Sequence, residues 1–243
     1  MMRYAIISDI HSNIEAFEAA MEDIERAGVD RILFLGDIIG YGPNPNECMD
    51  LLLKTADLCL AGNHDWALVG LTDTSYFNPF AKAALDWTGE VLRPDLKDFL
   101  ARQRPADLFA TFQVAHSSPK EPEKWKYILS HKDAIENYPF LERDLCFIGH
   151  SHQPIIIEYL APDQVRALRG NFMTLEPNRK YIVNVGSIGQ PRDGIPDGRW
   201  VIYDAEVNSI EFRRVPYDVA ATQRKMEAAG LPRYLIERLA AGR

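Results

Sequence analysis

Short apolar runs alternate with amphipathic segments in the first quarter of the chain. Three of the runs are continuous, as in strands buried on both faces: residues 3–8, 31–36 and 57–62. Between the first two, apolar residues recur every three or four positions, which predicts a helix that ends at Gly28. Ser12 and Glu15 have the spacing of a capping box at its start. A loop at 40–46 leads into a second helix, and this alternation predicts a parallel sheet with right-handed crossovers.

The pattern becomes helical between residues 66 and 105. Within this stretch, segments 79–91 and 94–102 each have a proline near their start, where proline suits a helix. We therefore predict a small helical insertion, 66–105, that lies beside the sheets as a cap and contributes no strand to them.

The rest of the chain alternates short apolar runs with turn residues, which is typical of antiparallel pairing. Strands are predicted at 108–116, 144–149, 154–160, 180–185, 199–205 and 209–215, and helices near 131–138, 218–229 and 232–241. We predict an α/β (α+β) fold in one domain, residues 1–243, in which two mixed sheets stack with helices outside them. The strands of the first half are expected to pair in parallel and those of the second half antiparallel.

Composition and charge exclude several classes of function. The 243 residues are 47% hydrophobic and carry a formal net charge of −8, with acidic and basic residues interspersed. A basic face for extended nucleic-acid binding is therefore not expected. No apolar run approaches the roughly 18 residues of a membrane span, and the first strand begins too early for a signal peptide. Three cysteines without a C-x-x-C pair predict reduced thiols, and we expect a soluble, cytoplasmic protein without a membrane partner, whose oligomeric state the sequence leaves open.

Polar residues of metal-binding and catalytic types follow the ends of five predicted strands: Asp9 and His11; Asp37; Asn63, His64 and Asp65; His116; His150 and His152. The carboxyl ends of strands are where open α/β sheets bind ligands. Five of the six histidines lie at these ends, and only His131 does not. Taken singly, such an acid could cap a helix and such a histidine could be structural. Their recurrence at five strand ends favours a common site.

The mixture of side chains indicates a transition-metal site. Imidazole suits zinc, iron and nickel, and carboxylate and amide oxygens suit manganese and magnesium. Seven of the nine residues are taken as candidate ligands, and they exceed what one tetrahedral ion needs. They suffice for two ions if one carboxylate bridges. The seven are Asp9, His11, Asp37, Asn63, His116, His150 and His152. Two ions about 3.5–4 Å apart can activate a water and neutralise the charge that develops during phosphoryl transfer.

The order of these blocks resembles that of the calcineurin-like metallophosphoesterases: Asp-x-His at 9–11, Gly-Asp at 36–37, Gly-Asn-His-Asp at 62–65, a histidine at 116 and Gly-His-x-His at 149–152. The likeness continues into Asn-Val-Gly-Ser-Ile-Gly-Gln-Pro-Arg at 184–192. Within the family, segments 36–45 and 184–192 resemble the bacterial and archaeal branch described as diadenosine-tetraphosphatase-like phosphodiesterases. The resemblance implies a β-sandwich flanked by helices and a metal-dependent hydrolase that acts on ester or anhydride bonds.

The resemblance also implies a role for each residue of the blocks. One metal would be held by Asp9, His11, Asp37 and His152, and the second by Asp37, Asn63, His116 and His150. The two divalent ions are expected to be manganese, with iron, zinc and nickel as alternatives. His64 would stabilise the charge of the substrate phosphate or protonate the leaving oxygen, and Asp65 would orient His64. The nucleophile would be a metal-bound hydroxide, with no covalent enzyme intermediate.

Two more residues are hypotheses for substrate binding. Tyr41 could stack on a base or bond a phosphate, or it could only pack its loop. Arg192 could clamp a phosphate with two hydrogen bonds, or it could be a surface residue. Ser117 stands where many relatives have the glycine that follows the fourth-block histidine, and this departure puts phosphate access in question more than metal binding.

The substrate favoured by the resemblance is a dinucleoside polyphosphate or another small nucleotide, cleaved at a phosphoester or phosphoanhydride bond. A phosphoprotein serine/threonine phosphatase and a broad phosphodiesterase are alternatives with the same chemistry. A non-catalytic interaction scaffold with the same fold is an alternative of another class. The intact ligand blocks and the presence of His64 argue against the scaffold.

Overall fold

Two six-stranded sheets form the centre of the protein in a computed structural model that describes residues 2–75 and 77–243. The strands are β1 (Arg3–Ile7), β2 (Arg31–Phe34), β3 (Leu58–Cys59), β4 (Ala106–Leu108), β5 (Gln113–Ala115), β6 (Leu145–Ile148), β7 (Ile155–Ala161), β8 (Gln164–Leu168), β9 (Phe172–Thr174), β10 (Lys180–Asn184), β11 (Gly198–Asp204) and β12 (Ser209–Val215). The first sheet has the order β3-β2-β1-β11-β12-β9, and the second has the order β4-β5-β6-β10-β7-β8.

Helices cover the outer faces of the sheets, as predicted. They are α1 (Ile14–Ala27), α2 (Pro45–Thr55), α3 (Asn63–Leu68), α4 (Pro79–Val91), α5 (Pro94–Ala101), α6 (His131–Asn137), α7 (Val219–Ala228) and α8 (Arg233–Ala240). The predicted helical character of the 66–105 segment is confirmed by the end of α3 and by α4 and α5, while Tyr76 lies outside the described residues. Within the described part of the chain, no helix combines the length and apolarity needed to cross a bilayer.

The start of α1 differs from the prediction. Asn13, and not Ser12, is the N-cap, and its side chain accepts a hydrogen bond from the backbone N–H of Ala16 at 3.2 Å. Ser12 has a left-handed backbone, and its N–H donates to the carbonyl of Ile38 at 2.8 Å. The helix begins one residue later than predicted because Ser12 belongs to the turn that follows β1.

Both sheets are mixed, as predicted, but parallel and antiparallel pairing do not divide between the two halves of the chain. Strands β1, β2 and β3 are parallel as expected, but β6 is parallel to both β5 and β10 in the second sheet. Strands β11 and β12 join the first sheet, where β11 pairs antiparallel with β1. The predicted strand at 108–116 is instead the hairpin of β4 and β5, and β8 and β9 were not predicted. Each sheet is therefore mixed.

The core explains why the first strands are apolar on both faces. Ile6 and Leu33 pack between the sheets, together with Phe147 and Val183 of the second sheet. Ile7 points the other way, into the layer under α1 and α2. Because neighbouring residues of a strand face opposite sides, burial on both sides requires the continuous apolar run seen in the sequence. This layering fixes the strand ends from which the polar loops emerge.

Candidate metal centre

The loops that follow five strands bring the predicted ligands to one place. Three groups each have ligand atoms within 4.8 Å of one another: Asp9, His11 and His152; His11, Asp37 and His64; Asp37, His116 and His150. All of these side chains are buried. The strand-end prediction therefore holds across both sheets, since β1, β2 and β3 belong to the first sheet and β5 and β6 to the second.

Asp37 lies between two sets of imidazoles. Its Oδ2 is 3.7 Å from Nε2 of His11 and 3.4 Å from Nε2 of His116. On the His11 side, Oδ1 of Asp9 is 3.7 Å from Nε2 of His11 and 3.2 Å from Nε2 of His152. One carboxylate shared by two clusters is the arrangement expected of a bridging ligand.

The ligand loops have strained backbones. Asp9, His11, Asp37, His150 and His152 have φ values between 49° and 66°, in the left-handed region that residues with a side chain seldom adopt. Such conformations cost about 1–3 kcal/mol each and persist where surrounding contacts enforce them. Here the N–H of His150 donates to Oδ2 of Asp9 at 3.0 Å, and the N–H of His11 donates to the carbonyl of Asp37 at 3.1 Å. The strain is concentrated at the ligand positions.

Backbone carbonyls orient the four ligand histidines. The carbonyl partners are Ile39 for His11 Nδ1 (3.0 Å), Leu35 for His116 Nδ1 (2.9 Å), Gln190 for His152 Nδ1 (2.6 Å) and Trp125 for His150 Nε2 (2.9 Å). A carbonyl can only accept, so each bonded ring nitrogen carries a proton, and in the neutral form of each ring the other nitrogen presents a lone pair. The lone pair is on Nε2 in three of these rings and on Nδ1 in His150.

Several atoms of the cluster are buried without a hydrogen-bond partner in the described structure: Oδ1 of Asp9, Oδ1 of Asn63, Nε2 of His116 and Nδ1 of His64. A buried polar atom left unpaired costs about 1–3 kcal/mol, so such atoms rarely collect in one place without a reason. The donor set of imidazole nitrogens with carboxylate and amide oxygens suits divalent transition metals. The residues present therefore fit divalent cations, and their clusters on both sides of Asp37 leave room for two.

Burial and neighbouring charges separate the pKa values of these histidines. Burial, with the charge of His116, lowers the pKa of His150 to about 3, and burial with Arg192 lowers that of His152 to about 4. Burial also lowers the pKa of His116, but the carboxylates of Asp37 and Asp9 outweigh it and raise the pKa to about 9. At pH 7 without metal, His116 is the protonated member of the three.

We expect cation binding to release one proton from His116 at pH 7. A metal ion requires the neutral imidazole, so the apparent affinity should fall as the pH falls below about 9, by about tenfold per pH unit for one displaced proton. Calorimetric titration of metal-free protein with manganese, in buffers of different ionisation enthalpy, measures the released proton directly. Equal affinities at pH 6 and pH 8 would contradict the assignment.

Asp65 has a different role from the one predicted. Its Oδ2 accepts hydrogen bonds from the N–H groups of Asp37 (2.8 Å) and Gly62 (2.9 Å), and its Oδ1 accepts from Ile38 and Ile39 at 3.2 and 3.3 Å. No hydrogen bond joins it to His64 among the described residues. The prediction that Asp65 orients His64 is wrong because neighbouring helical side chains diverge, and Asp65 turns back over the start of α3. It holds the loop that carries Asp37.

Replacing Asp65 with alanine should destabilise the fold by about 3 kcal/mol or more, since four buried N–H groups lose their acceptor at about 1–3 kcal/mol each, less what relaxation recovers. Urea unfolding in the presence of EDTA measures this loss separately from any metal effect. Asp163→Ala, at an exposed turn, is the matched control. A loss below about 1 kcal/mol would show that the loop does not depend on this carboxylate.

His64 lies beside the cluster and packs against the aromatic rings of Tyr41 and Phe77. Its ring centroid is 4.5 Å from that of Tyr41, 4.9 Å from Phe77 and 5.0 Å from His11. Burial lowers its pKa to about 3, although the carboxylate of Asp37 acts in the opposite direction. A ring that is neutral at pH 7 stabilises charge by donating an N–H and does not act as an imidazolium acid. Of the two predicted roles, the structure favours charge stabilisation.

A cavity of 250 Å³ opens over the cluster and contains both predicted substrate residues, Tyr41 and Arg192. The Arg192 guanidinium carbon is 5.9 Å from the centroid of the Tyr41 ring. Oε1 of Gln190 accepts hydrogen bonds from Nη2 and Nε of Arg192 at 2.8 and 3.3 Å. Arg192 is therefore not a free surface residue, because a buried glutamine holds its head group beside the cluster.

The sequence did not single out several other residues of this cavity. They are Lys124, Trp125, Tyr127 and Phe77. Tyr127 stacks on His150 with centroids 4.1 Å apart, and Nε1 of Trp125 donates to the hydroxyl of Thr72 at 2.9 Å. The stretch 117–127 has no helical or strand period, so nothing in its pattern marked these side chains. Ser117, in the same loop, donates to the carbonyl of Pro122 at 3.0 Å and so braces that loop.

Comparison with known proteins identifies the family of the chain. The calcineurin-like phosphoesterase superfamily domain matches residues 2–207. An uncharacterized protein of Methanocaldococcus jannaschii is 38% identical over 251 residues, which cover 98% of this chain and 98% of that protein. The crystal structure of a metallophosphoesterase from Sphaerobacter thermophilus is 38% identical, with a TM-score of 0.88 over 100% of this chain and 99% of that one. A hypothetical protein from Pyrococcus horikoshii OT3 shares the fold at 21% identity, with a TM-score of 0.80 over the same fractions. The chain belongs to the calcineurin-like phosphoesterase superfamily.

Proposed function

We propose that this protein is a dinuclear metal-dependent phosphoesterase that hydrolyses a phosphoester or phosphoanhydride bond of a small nucleotide, with a dinucleoside polyphosphate as the best candidate. The observation that carries the proposal is the position of Asp37 between two imidazole clusters in a cavity with cationic and aromatic walls. Two divalent ions, when bound there, would supply an activated water and neutralise the charge of a phosphoryl group.

The cavity has the charges that a phosphate chain needs. The protein as a whole has a formal charge of −8, yet Lys124 and Arg192 both line this cavity. Guanidinium groups bind phosphate oxygens with two parallel hydrogen bonds, and an ammonium adds a point charge. Two cationic side chains beside a metal centre favour a substrate with more than one phosphate. Asp73 also lines the cavity and would disfavour an anion at its own position.

The organic part of the substrate would meet aromatic surfaces. Tyr41, Phe77, Trp125 and Tyr127 line the same cavity, and bases stack on such rings with little dependence on sequence. A cavity of 250 Å³ that α4 partly covers through Ala81 is small for a folded phosphoprotein, which favours the nucleotide over the serine/threonine phosphatase alternative. Manganese remains the proposed metal, and the cytoplasm the proposed location.

Removing the acceptor that holds Arg192 should weaken substrate binding more than chemistry. In Gln190→Leu the side chain no longer fixes the guanidinium, and we expect KM to rise about tenfold, equivalent to about 1.4 kcal/mol, with a smaller change in kcat. The ligand His152 keeps its partner, because that partner is the backbone carbonyl of Gln190. Gln190→Glu retains an acceptor and should recover most of the affinity. Gln223→Leu, at a half-buried glutamine on α7, is the control, and equal KM values in Gln190→Leu and the control would exclude the positioning role.

The proposed function is tested with a substrate panel. Metal-stripped protein is supplied with manganese and given diadenosine tetraphosphate, cyclic nucleotides, phosphopeptides and an aryl phosphodiester. Fastest turnover of the dinucleotide would support the proposal, and a preference for phosphopeptides or for all diesters alike would favour the alternatives. Failure to hydrolyse any of them, in protein that binds two ions, would favour the non-catalytic scaffold.

A further inference from the structure

The cavity over the metal centre is too small for the whole of the proposed substrate. Its 250 Å³ lies below the roughly 300–1,000 Å³ of sites that enclose drug-sized ligands, and a dinucleoside polyphosphate is larger than most such ligands. A second cavity of 380 Å³ lies against it. Resting on the proposed function, we propose that this second cavity binds one nucleoside of a dinucleoside polyphosphate while the metal centre holds the phosphate that is attacked.

The two cavities share a wall built from metal-ligand loops. His150 and His152 line the first cavity, whereas Ser151 and Gln153, the alternate residues of the same loop, line the second. The loop before α6 also separates the two cavities. Its residues up to Tyr127 line the first cavity, and those from 128 to 131 line the second. The wall between the two cavities is therefore only one loop thick, and a ligand that extends from the metal centre across it reaches the second cavity.

Arg192 lines both cavities. Its guanidinium is held by Gln190, and its backbone N–H donates to the carbonyl of His152 at 3.2 Å. A cation fixed at the junction of two cavities would contact the phosphate chain between the two parts of a substrate. A substrate that occupies the first cavity alone, such as a small aryl ester, would not need a cation at this junction.

The walls of the second cavity suit a nucleoside. Ile128, Ile155 and Ile157 supply apolar surface, as binding cavities usually do, and a few polar groups stand among them. Asp193 is one of these: its Oδ2 accepts a hydrogen bond from Arg214 at 2.6 Å and lies 3.5 Å from Nε of Arg199. A carboxylate that two arginines hold in place can accept a further hydrogen bond from a ribose hydroxyl or a base amino group.

The test places a tryptophan side chain in the second cavity and compares the affinities of two nucleotide analogues. Ala167 is an exposed residue of β8 that lines the cavity, and Gln164 is an exposed residue of the same strand that does not. Manganese-loaded wild type, Ala167→Trp and the control Gln164→Trp are titrated by calorimetry with non-hydrolysable analogues of diadenosine tetraphosphate and of ATP. We expect the wild type to bind the dinucleoside analogue about tenfold more tightly than the ATP analogue, since the second nucleoside adds contacts. Ala167→Trp should lose this preference, and Gln164→Trp should keep it.

Binding separates this inference from the proposed function. Loss of the preference in Ala167→Trp, even in a protein that cleaves neither parent nucleotide, supports the nucleoside subsite and leaves only the hydrolysis in doubt. Equal preference in Ala167→Trp and Gln164→Trp overturns the subsite, whatever the activity. Equal binding of the two analogues by the wild type, or binding of neither, also overturns it.

Discussion

Replacement of Asp37 by asparagine should reduce metal-dependent turnover by about 1,000-fold or more, because a bridging carboxylate binds both ions. The ions stabilise the transition state by several kcal/mol, and each factor of ten in rate corresponds to about 1.4 kcal/mol. Oδ2 of Asp37 faces His11 on one side and His116 on the other. The amide has nearly the same shape but no charge, and it would place an N–H₂ group against nitrogen ligands if its oxygen kept the bond from the N–H of His64. The substitution should therefore remove bound metal as well as activity.

Metal content and turnover are measured on the same sample. We expect fewer than two ions per chain by mass spectrometry of the metals, together with loss of manganese-dependent hydrolysis. Asp163→Asn, at an exposed turn, is the matched control and should keep two ions. The bridging role would be excluded if Asp37→Asn retained both ions and turned over within about threefold of the control, a change worth well under 1 kcal/mol.

Close packing around Asp37 explains why the bridge tolerates little change. A Cβ at Gly62 would overlap Oδ1 of Asp37, and a Cβ at Gly36, which has a φ of 109°, would lie 2.8 Å from Nδ1 of His116. Both glycines belong to the sequence blocks that carry the ligands, and the structure gives a steric reason for them. The loops approach so closely that a methyl group would displace a ligand.

The candidate ligands could be predicted from the sequence because two simple rules apply to the same residues. Strand ends collect at one edge, and histidines with carboxylates at those ends imply metal. Asp9, His11 and Asp37 follow apolar runs that are hard to mistake for helices, so their placement needed no knowledge of strand pairing. His116 followed a run that proved to be a hairpin, yet it still lies where that run ends.

The rest of the site depends on directions and contacts that a sequence does not contain. The role of Asp65 changed because only the position of α3 shows that its carboxylate faces the loop of Asp37. Tyr127 and Trp125 lie in an aperiodic loop that reaches the cavity by folding back over His150. Strands β8 and β9 were missed because much of their surface is exposed, which leaves no apolar run to detect.

Replacement of His64 by alanine should lower kcat by about 100-fold or more without loss of metal, since loss of one positioned donor to developing charge costs about 10²–10³-fold. Nδ1 of His64 is buried and has no hydrogen-bond partner in the described part of the chain, and the ring lies under Tyr41. With a pKa of about 3 the ring is neutral at pH 7, and nearby cations would lower the pKa further. The loss should therefore be one of hydrogen bonding to the phosphoryl oxygens or the leaving oxygen.

Metal content and a pH profile separate the possible roles of His64. Its ligand atom lies within 4.8 Å of those of His11 and Asp37, so a ligand role predicts that His64→Ala holds fewer than two ions. A charge-stabilising role predicts two ions, partial recovery of kcat in His64→Asn, whose amide still donates, and no ionisation of His64 in kcat between pH 5 and 8. An imidazolium acid would instead give the wild type a kcat that falls with rising pH through a pKa near 6–7, a limb that His64→Ala lacks. Because burial keeps the ring neutral, we expect the profile without that limb, and its presence would overturn the assignment made from the structure.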